Sequence, residues 1–174
     1  MTGSLDLTEK TLVLGGARSG KSAHAEALAR STGRPRHYIA TAQGLDAEMT
    51  ARIARHKADR GPGWHLVEAP LDLCGALSQV PPGAVALIDC ATLWLTNHLL
   101  ADHDLAAETA ALLDALAACP APVIVVSNEV GWSITPDNAL SRAFTDAQGR
   151  LNQALAAQAT RVTLVVAGLP MVLK

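Results

Sequence analysis

The sequence predicts an α/β fold, a mostly parallel central sheet with helices on both faces. Three observations carry that expectation. Short apolar runs without period-2 alternation recur along the chain, as expected of strands buried on both faces. Helix-like stretches separate them, the order that parallel strands require. Between the first run and the first helix stands Gly15-Gly16-Ala17-Arg18-Ser19-Gly20-Lys21-Ser22, a G-x-x-x-x-G-K-S octapeptide.

The elements follow in order. Residues 11–14 (Thr-Leu-Val-Leu) form a short buried strand, and Ala23-His24-Ala25-Glu26-Ala27-Leu28-Ala29 is strongly helix-forming. Residues 36–40 make a second strand, and 45–60 a charged helix closed by Gly61-Pro62-Gly63. A strand-like piece at 64–68 and a helix at 71–79 lead to Pro81-Pro82-Gly83. Residues 84–88 are a continuous apolar strand, and helical stretches run from 91 to 118. After Pro120 and Pro122 come a strand at 123–126, a long helix at 138–159 and a closing strand at 162–166. A chain of 174 residues fits one nucleotide-binding domain over 1–174, with 1–10 a loose extension and no internal repeat.

The octapeptide is a phosphate-binding loop. Gly15 and Gly20 permit backbone angles that a Cβ resists, so successive N–H groups turn inward around an anion. Residues Gly16, Ala17, Arg18 and Ser19 complete the cradle, Lys21 supplies charge for the β/γ-phosphates, and the Ser22 hydroxyl is placed to hold Mg²⁺. The following helix aims its N-terminus at the phosphates. The fold class is therefore that of the P-loop NTPases, RecA-like in type. Asp89, at the end of a buried strand, is the expected second Mg²⁺ group; the alternative is a helix N-cap.

In the helix at 45–60, Leu45, Met49 and Ile53 form one stripe, while Glu48, Arg52, His56 and Arg60 recur every four residues on another. Arg55 and Lys57 flank the histidine. This cationic face can receive phosphates or be merely solvated.

Composition narrows the class. Hydrophobic residues at 49% and charged residues at 17% indicate a globular chain, and 3% aromatics leave the core to Ala, Leu and Val. A net charge of −2 argues against general nucleic-acid binding. No apolar stretch suits a secretory signal or a membrane span. Cys74, Cys90 and Cys119 fit neither a zinc motif nor a disulfide framework, and are expected as buried hydrophobes in a reducing cytoplasm.

The P-loop, Tyr38-Ile39-Ala40-Thr41-Ala42, Asp46-x-Glu48-Met49-x-x-Arg52-Ile53-x-x-His56 and Ser127-Asn128-Glu129-Val130-Gly131 together resemble one family. It is the bifunctional adenosylcobinamide kinase/adenosylcobinamide-phosphate guanylyltransferase family of cobalamin biosynthesis, matched over about residues 11–168. The resemblance implies two steps. Adenosylcobinamide is phosphorylated with ATP or GTP. GMP from GTP then passes through a histidine, here His56, to give adenosylcobinamide-GDP. Nucleotide contacts carry over to 15–22, to Ala40, Thr41 and Ala42, to Lys57, Ala58, Asp59 and Arg60, and to Glu68 and Asp89. The resemblance also implies a homo-oligomer, a trimer. Arg55 stands where some relatives have a second histidine, leaving His56 as the candidate nucleophile beside the catalytic Lys21.

Glu129 could orient substrate, act as a base or serve a loop contact. Asn97, Arg142, Arg150 and Asn152 belong to the pattern without an assigned role. His24, His37, His65, His98 and His103 are expected to pack or face solvent, and Trp94 to lie in an apolar helix between subunits. The rival classes are another small-molecule P-loop kinase, which needs no histidine, and a GTP-binding switch, whose Asn/Thr-Lys-x-Asp tetrapeptide is missing.

Overall fold

A computed structural model of the chain describes residues 9–44, 46–132 and 134–174, and among these not the side chains of Arg52, His56 and Asp59. The order of elements is β1 (Lys10–Gly15), α1 (Lys21–Ser31), β2 (Arg36–Ala40), α2 (Ala47–Arg60), β3 (Trp64–Glu68), α3 (Leu73–Ser78) and β4 (Val85–Asp89). There follow α4 (Ala91–Leu100), α5 (Leu105–Ala118), β5 (Val123–Asn128), α6 (Ala139–Gln158), β6 (Arg161–Val166) and β7 (Leu169–Val172).

The strands form one sheet in the order β3-β2-β4-β5-β1-β6-β7. All neighbours run parallel except β7, which returns antiparallel to β6. The expected fold class therefore holds.

Both faces of the sheet are apolar, as the lack of alternation required, and strand pleat decides which side chain serves which face. Leu12, Leu14, Ile39, Ala86, Ile88, Val123 and Val125 join a core under α3–α6. Val13, Tyr38, Val85, Leu87, Ile124 and Val126 face the other way, onto Ala25 and Ala29 of α1.

Four readings need adjusting. The helical stretches expected over 91–118 gain a boundary: they are two helices parted at residues 101–104, where Asp104 caps α5 by accepting from the N–H groups of Ala106 and Ala107. Lys10 is not loose: it opens β1, and its Nζ donates to the carbonyls of Cys119 (3.0 Å) and Ala121 (2.8 Å). Residues 1–8 lie outside the described residues. Trp94 is not held for a neighbouring subunit. It is 2% exposed within this chain, and its Nε1 donates to the Leu71 carbonyl at 2.9 Å.

The fourth adjustment is β7, which the sequence reading missed. Ala167 (φ 51°) and Gly168 (φ 79°) form a two-residue turn with both central residues left-handed, the twist that a tight hairpin favours. The Gly168 N–H donates to the Ser19 carbonyl at 2.8 Å, so this hairpin also holds the P-loop.

All three cysteines are free and Cys90 and Cys119 are buried, as expected, whereas Cys74 is only half-buried. Burial, helped by neighbouring Asp89, pushes the Cys90 thiol up to about 11. No helix among the described residues is long and apolar enough to cross a membrane.

Candidate active site

The P-loop follows β1 directly. Gly20 (φ 94°) and Arg18 (φ 56°) turn the chain between Gly15 and Lys21, the first residue of α1. Lys21 is 9% exposed, and its Nζ donates to the Gly16 carbonyl at 3.0 Å, so its charge lies over the loop. Ser22 is half-buried beside it, while Ala17 and Arg18 are exposed.

Gly15 is required by contact rather than by φ. A Cβ there would sit 2.6 Å from the Val165 carbonyl oxygen and collide with Ser19 Oγ. Gly15→Ala is expected to cost about 1–3 kcal/mol, the usual range for overpacking, because the Val165 carbonyl is backbone and cannot swing aside as the Ser19 side chain can. Urea unfolding checks this, and a variant as stable as the parent contradicts the close approach.

The sheet order puts β5 between β1 and β4, so Asp89 stands two strand spacings, roughly 10 Å, from the end of β1. The N-cap of α4 is Cys90, with no side-chain cap bond. The half-buried Asp89 carboxylate instead accepts from Tyr38 Oη at 2.8 Å. Burial first and Asp89 second raise the Tyr38 phenol above its ordinary value, so it stays a donor.

The guanidinium of Arg60, itself 7% exposed, lies 3.7 Å from the centroid of the Tyr38 ring. Arg30 ties the two helices together. Its Nη2 donates both to Glu26 Oε2 (3.2 Å) on α1 and to the Arg60 carbonyl that ends α2. The helix that starts at Lys21 and the helix that carries His56 are thus linked near their C-terminal ends, with His56 one turn before Arg60. Asp46 caps the other end of α2, accepting from the Met49 N–H at 2.7 Å. Between these anchors α2 is largely exposed: Met49 and Ile53 are half-buried, while Glu48, Arg55, Lys57 and Ala58 face solvent.

Thr41, just past β2, is fully buried and spends its hydroxyl on both sides of Cys90. It donates to the carbonyl and accepts from the N–H, each at 2.8 Å. Asn97 Nδ2 donates to the carbonyls of Thr41 and Pro70, both at 2.9 Å. Ala40 and Ala42 stay half-buried on either side, and Glu68 is exposed at the end of β3.

On the opposite side of β4, the Glu129 N–H donates to the Gly15 carbonyl at 3.2 Å, placing that residue beside the P-loop. Its Oε1 accepts from Asn152 Nδ2 (3.1 Å), which also donates to the Asn128 carbonyl (3.0 Å). Asn152 Oδ1 in turn accepts from Ser127 Oγ (2.7 Å) and Gln148 Nε2 (2.9 Å). A buried polar network of this kind fixes side-chain positions where an apolar contact would leave them free.

The family model described as cobinamide kinase / cobinamide phosphate guanyltransferase matches residues 11–173. The chain belongs to this family. As a member it is a kinase and nucleotidyltransferase of adenosylcobalamin biosynthesis. It is 50% identical to the bifunctional adenosylcobalamin biosynthesis protein CobP of Pseudomonas aeruginosa, over 95% of this chain and 97% of that one. It is 42% identical to the corresponding protein CobU of Escherichia coli, over 94% and 98% of the two chains. Among solved structures, the flagellar accessory protein FlaH of Methanocaldococcus jannaschii aligns with a TM-score of 0.54 at 13% identity, over 98% of this chain and 80% of that one. An ATPase from the type III secretion system of pathogenic bacteria aligns with a TM-score of 0.56 at 10% identity, over 94% and 53%. At such identities the likeness is one of fold alone.

For this kinase and guanyltransferase family member, sequence reasoning named the P-loop, Asp89 and the histidine helix as candidates. It gave no role to Tyr38, Glu26 and Arg30, which contact those parts, and gave Gln148 no place. The spacing of Gln148 and Asn152, polar at i and i+4 in an otherwise apolar-faced helix, was the available signal. Arg142 serves the loop before α6, donating to the carbonyls of Pro136 (2.9 Å) and Asp137 (2.8 Å), and Arg150 is exposed.

Proposed function

We propose that this enzyme performs both family activities with His56 as the covalent carrier of GMP. In the first step the aminopropanol hydroxyl of adenosylcobinamide attacks the γ-phosphorus of ATP or GTP, and the nucleoside diphosphate leaves. In the second, an imidazole nitrogen of His56 attacks the α-phosphorus of GTP; a P–N bond forms as the bond to pyrophosphate breaks. The phosphate of adenosylcobinamide phosphate then attacks the same phosphorus, the P–N bond breaks, and adenosylcobinamide-GDP results.

The observation that supports this most directly is the Arg30 bridge, which ties the helix of the triphosphate loop to the helix of the histidine. Imidazole, with an ordinary pKa near 6.5, is largely unprotonated and nucleophilic at neutral pH. Lys21 and the loop N–H groups would hold the phosphates, with Gly15–Ser22, Ala40–Ala42, Lys57–Arg60, Glu68 and Asp89 around the nucleotide. Thr41 contributes there by fixing the β2 and β4 ends, since its hydroxyl is already engaged.

A divalent cation fits the donors present. Ser22 and Asp89 offer hard oxygen ligands, and Tyr38 engages only one carboxylate oxygen of Asp89. Mg²⁺ held there would neutralise phosphate charge during transfer.

We further read residues 1–174 as a single nucleotide-binding unit acting in the cytoplasm, and as a homo-oligomer, trimeric as the resemblance implies. The exposed Leu169, Met171 and Val172 of the sheet-edge strand β7 suit contact with another copy. Supplying adenosylcobinamide, GTP and Mg²⁺ and resolving the corrinoids by chromatography tests the function. Adenosylcobinamide-GDP is the expected product. Accumulation of adenosylcobinamide phosphate alone would assign the chain to the small-molecule kinases instead.

A further inference from the structure

We propose that His98, His103 and Glu108 form a binding site for a zinc-type divalent cation, separate from the nucleotide site. His98 lies in the last turn of α4, the turn at 101–104 folds His103 back toward it, and Glu108 lies in the first turn of α5. The three ligand atoms converge. His98 Nδ1 is 2.9 Å from His103 Nδ1, and Glu108 Oε1 is 3.8 and 3.9 Å from those two nitrogens.

Ligand atoms bound tetrahedrally at about 2.0–2.1 Å stand about 3.3–3.4 Å apart, so shifts of roughly half an ångström would seat the ion. Two imidazoles and one carboxylate suit Zn²⁺ better than Mg²⁺, and solvent can take the fourth position.

The protonation of His98 is set for a ligand. Its Nε2 lies 3.2 Å from the Leu71 carbonyl, which can only accept, so Nε2 carries the hydrogen and Nδ1 offers its lone pair. An outer partner of this kind commonly fixes the tautomer of a metal-bound histidine. His98 is 3% exposed and packs on the Trp94 ring at a centroid distance of 4.6 Å, so its plane is fixed as well.

The same Leu71 carbonyl accepts from Trp94, and neighbouring Pro70 accepts from Asn97, which also holds Thr41. A bound ion would thereby brace the segment after Glu68 from behind the nucleotide site. Without metal, the pair is a plain imidazole–imidazole hydrogen bond.

The test uses the full chain stripped by a chelator and titrated with Zn²⁺ against a chromophoric competitor. The wild type should bind one more equivalent than His103→Ala. In Glu108→Gln the affinity at this site should fall by more than the roughly 10–100-fold that loss of an outer partner costs. His103 is 40% exposed at its side chain, so the alanine variant should fold, and circular dichroism without metal verifies it. Co²⁺ replacing Zn²⁺ should give the strong visible absorption of a four-coordinate ion in the wild type alone. Equal stoichiometry and affinity in wild type and both variants, or no Zn²⁺ binding by the wild type, overturns the proposal.

Discussion

His56→Asn should separate the two activities. Transfer of a γ-phosphate to a bound hydroxyl needs no covalent intermediate, so the kinase step should largely persist. The guanylyl step should fall by several orders of magnitude, as loss of a covalent nucleophile commonly does. Asparagine keeps polarity and approximate size, and α2 is held by Asp46 at one end and Arg60 at the other, so the helix should survive. Rates of adenosylcobinamide phosphate and adenosylcobinamide-GDP formation, measured separately, give the comparison. His37→Ala and His65→Ala, whose tilted rings meet with centroids 4.7 Å apart at the far end of the parallel β2–β3 pair, should leave guanylyl transfer near the parent level. A His56→Asn protein with undiminished guanylyl transfer would move the nucleophile elsewhere.

Lys21→Ala should abolish both activities. Each step develops charge on phosphate oxygens, and losing one preorganised electrostatic partner in comparable sites costs about 10²–10³ in rate. The fold should tolerate the change, because the Nζ makes a hydrogen bond to Gly16 within a loop that Gly168 and Glu129 also hold. Kinase turnover and GMP transfer, both assayed at saturating nucleotide, check it. Near-parental rates in either assay would show that the loop is not the site where the triphosphate reacts.

The legible parts of the molecule were those written as runs. Residues 84–88 and 123–126 are apolar throughout because both sheet faces are covered, and such runs declare parallel strands. The P-loop was legible because its chemistry is local in sequence. β7 was not: Pro170 argues against a strand, yet an edge position leaves its missing N–H harmless. Trp94 misled because an all-round apolar helix looks the same whether it is covered by another subunit or by its own chain. Here the loop ending at Leu71 covers it.

In the candidate site, the strand-end position of Asp89 was legible, whereas no role for Tyr38 was. Its role depends on reaching across from β2 to β4, a pairing that nothing in the local pattern encodes. The stripe of Met49 and Ile53 was visible, but Leu45 lies outside the described residues and the other two are only half-buried. That helix is thus held more by its ends than by its apolar face.

The most direct test of a guanylyl-histidine is to incubate the protein with GTP labelled at the α-phosphate, and separately with α-labelled ATP, without corrinoid. Label from GTP should remain on the denatured protein, be released by acid as a P–N bond is, and be absent from His56→Asn; ATP should leave none, although it can still serve the kinase step. Equal labelling by both nucleotides would contradict the guanylyl assignment, and label retained by His56→Asn would contradict the residue.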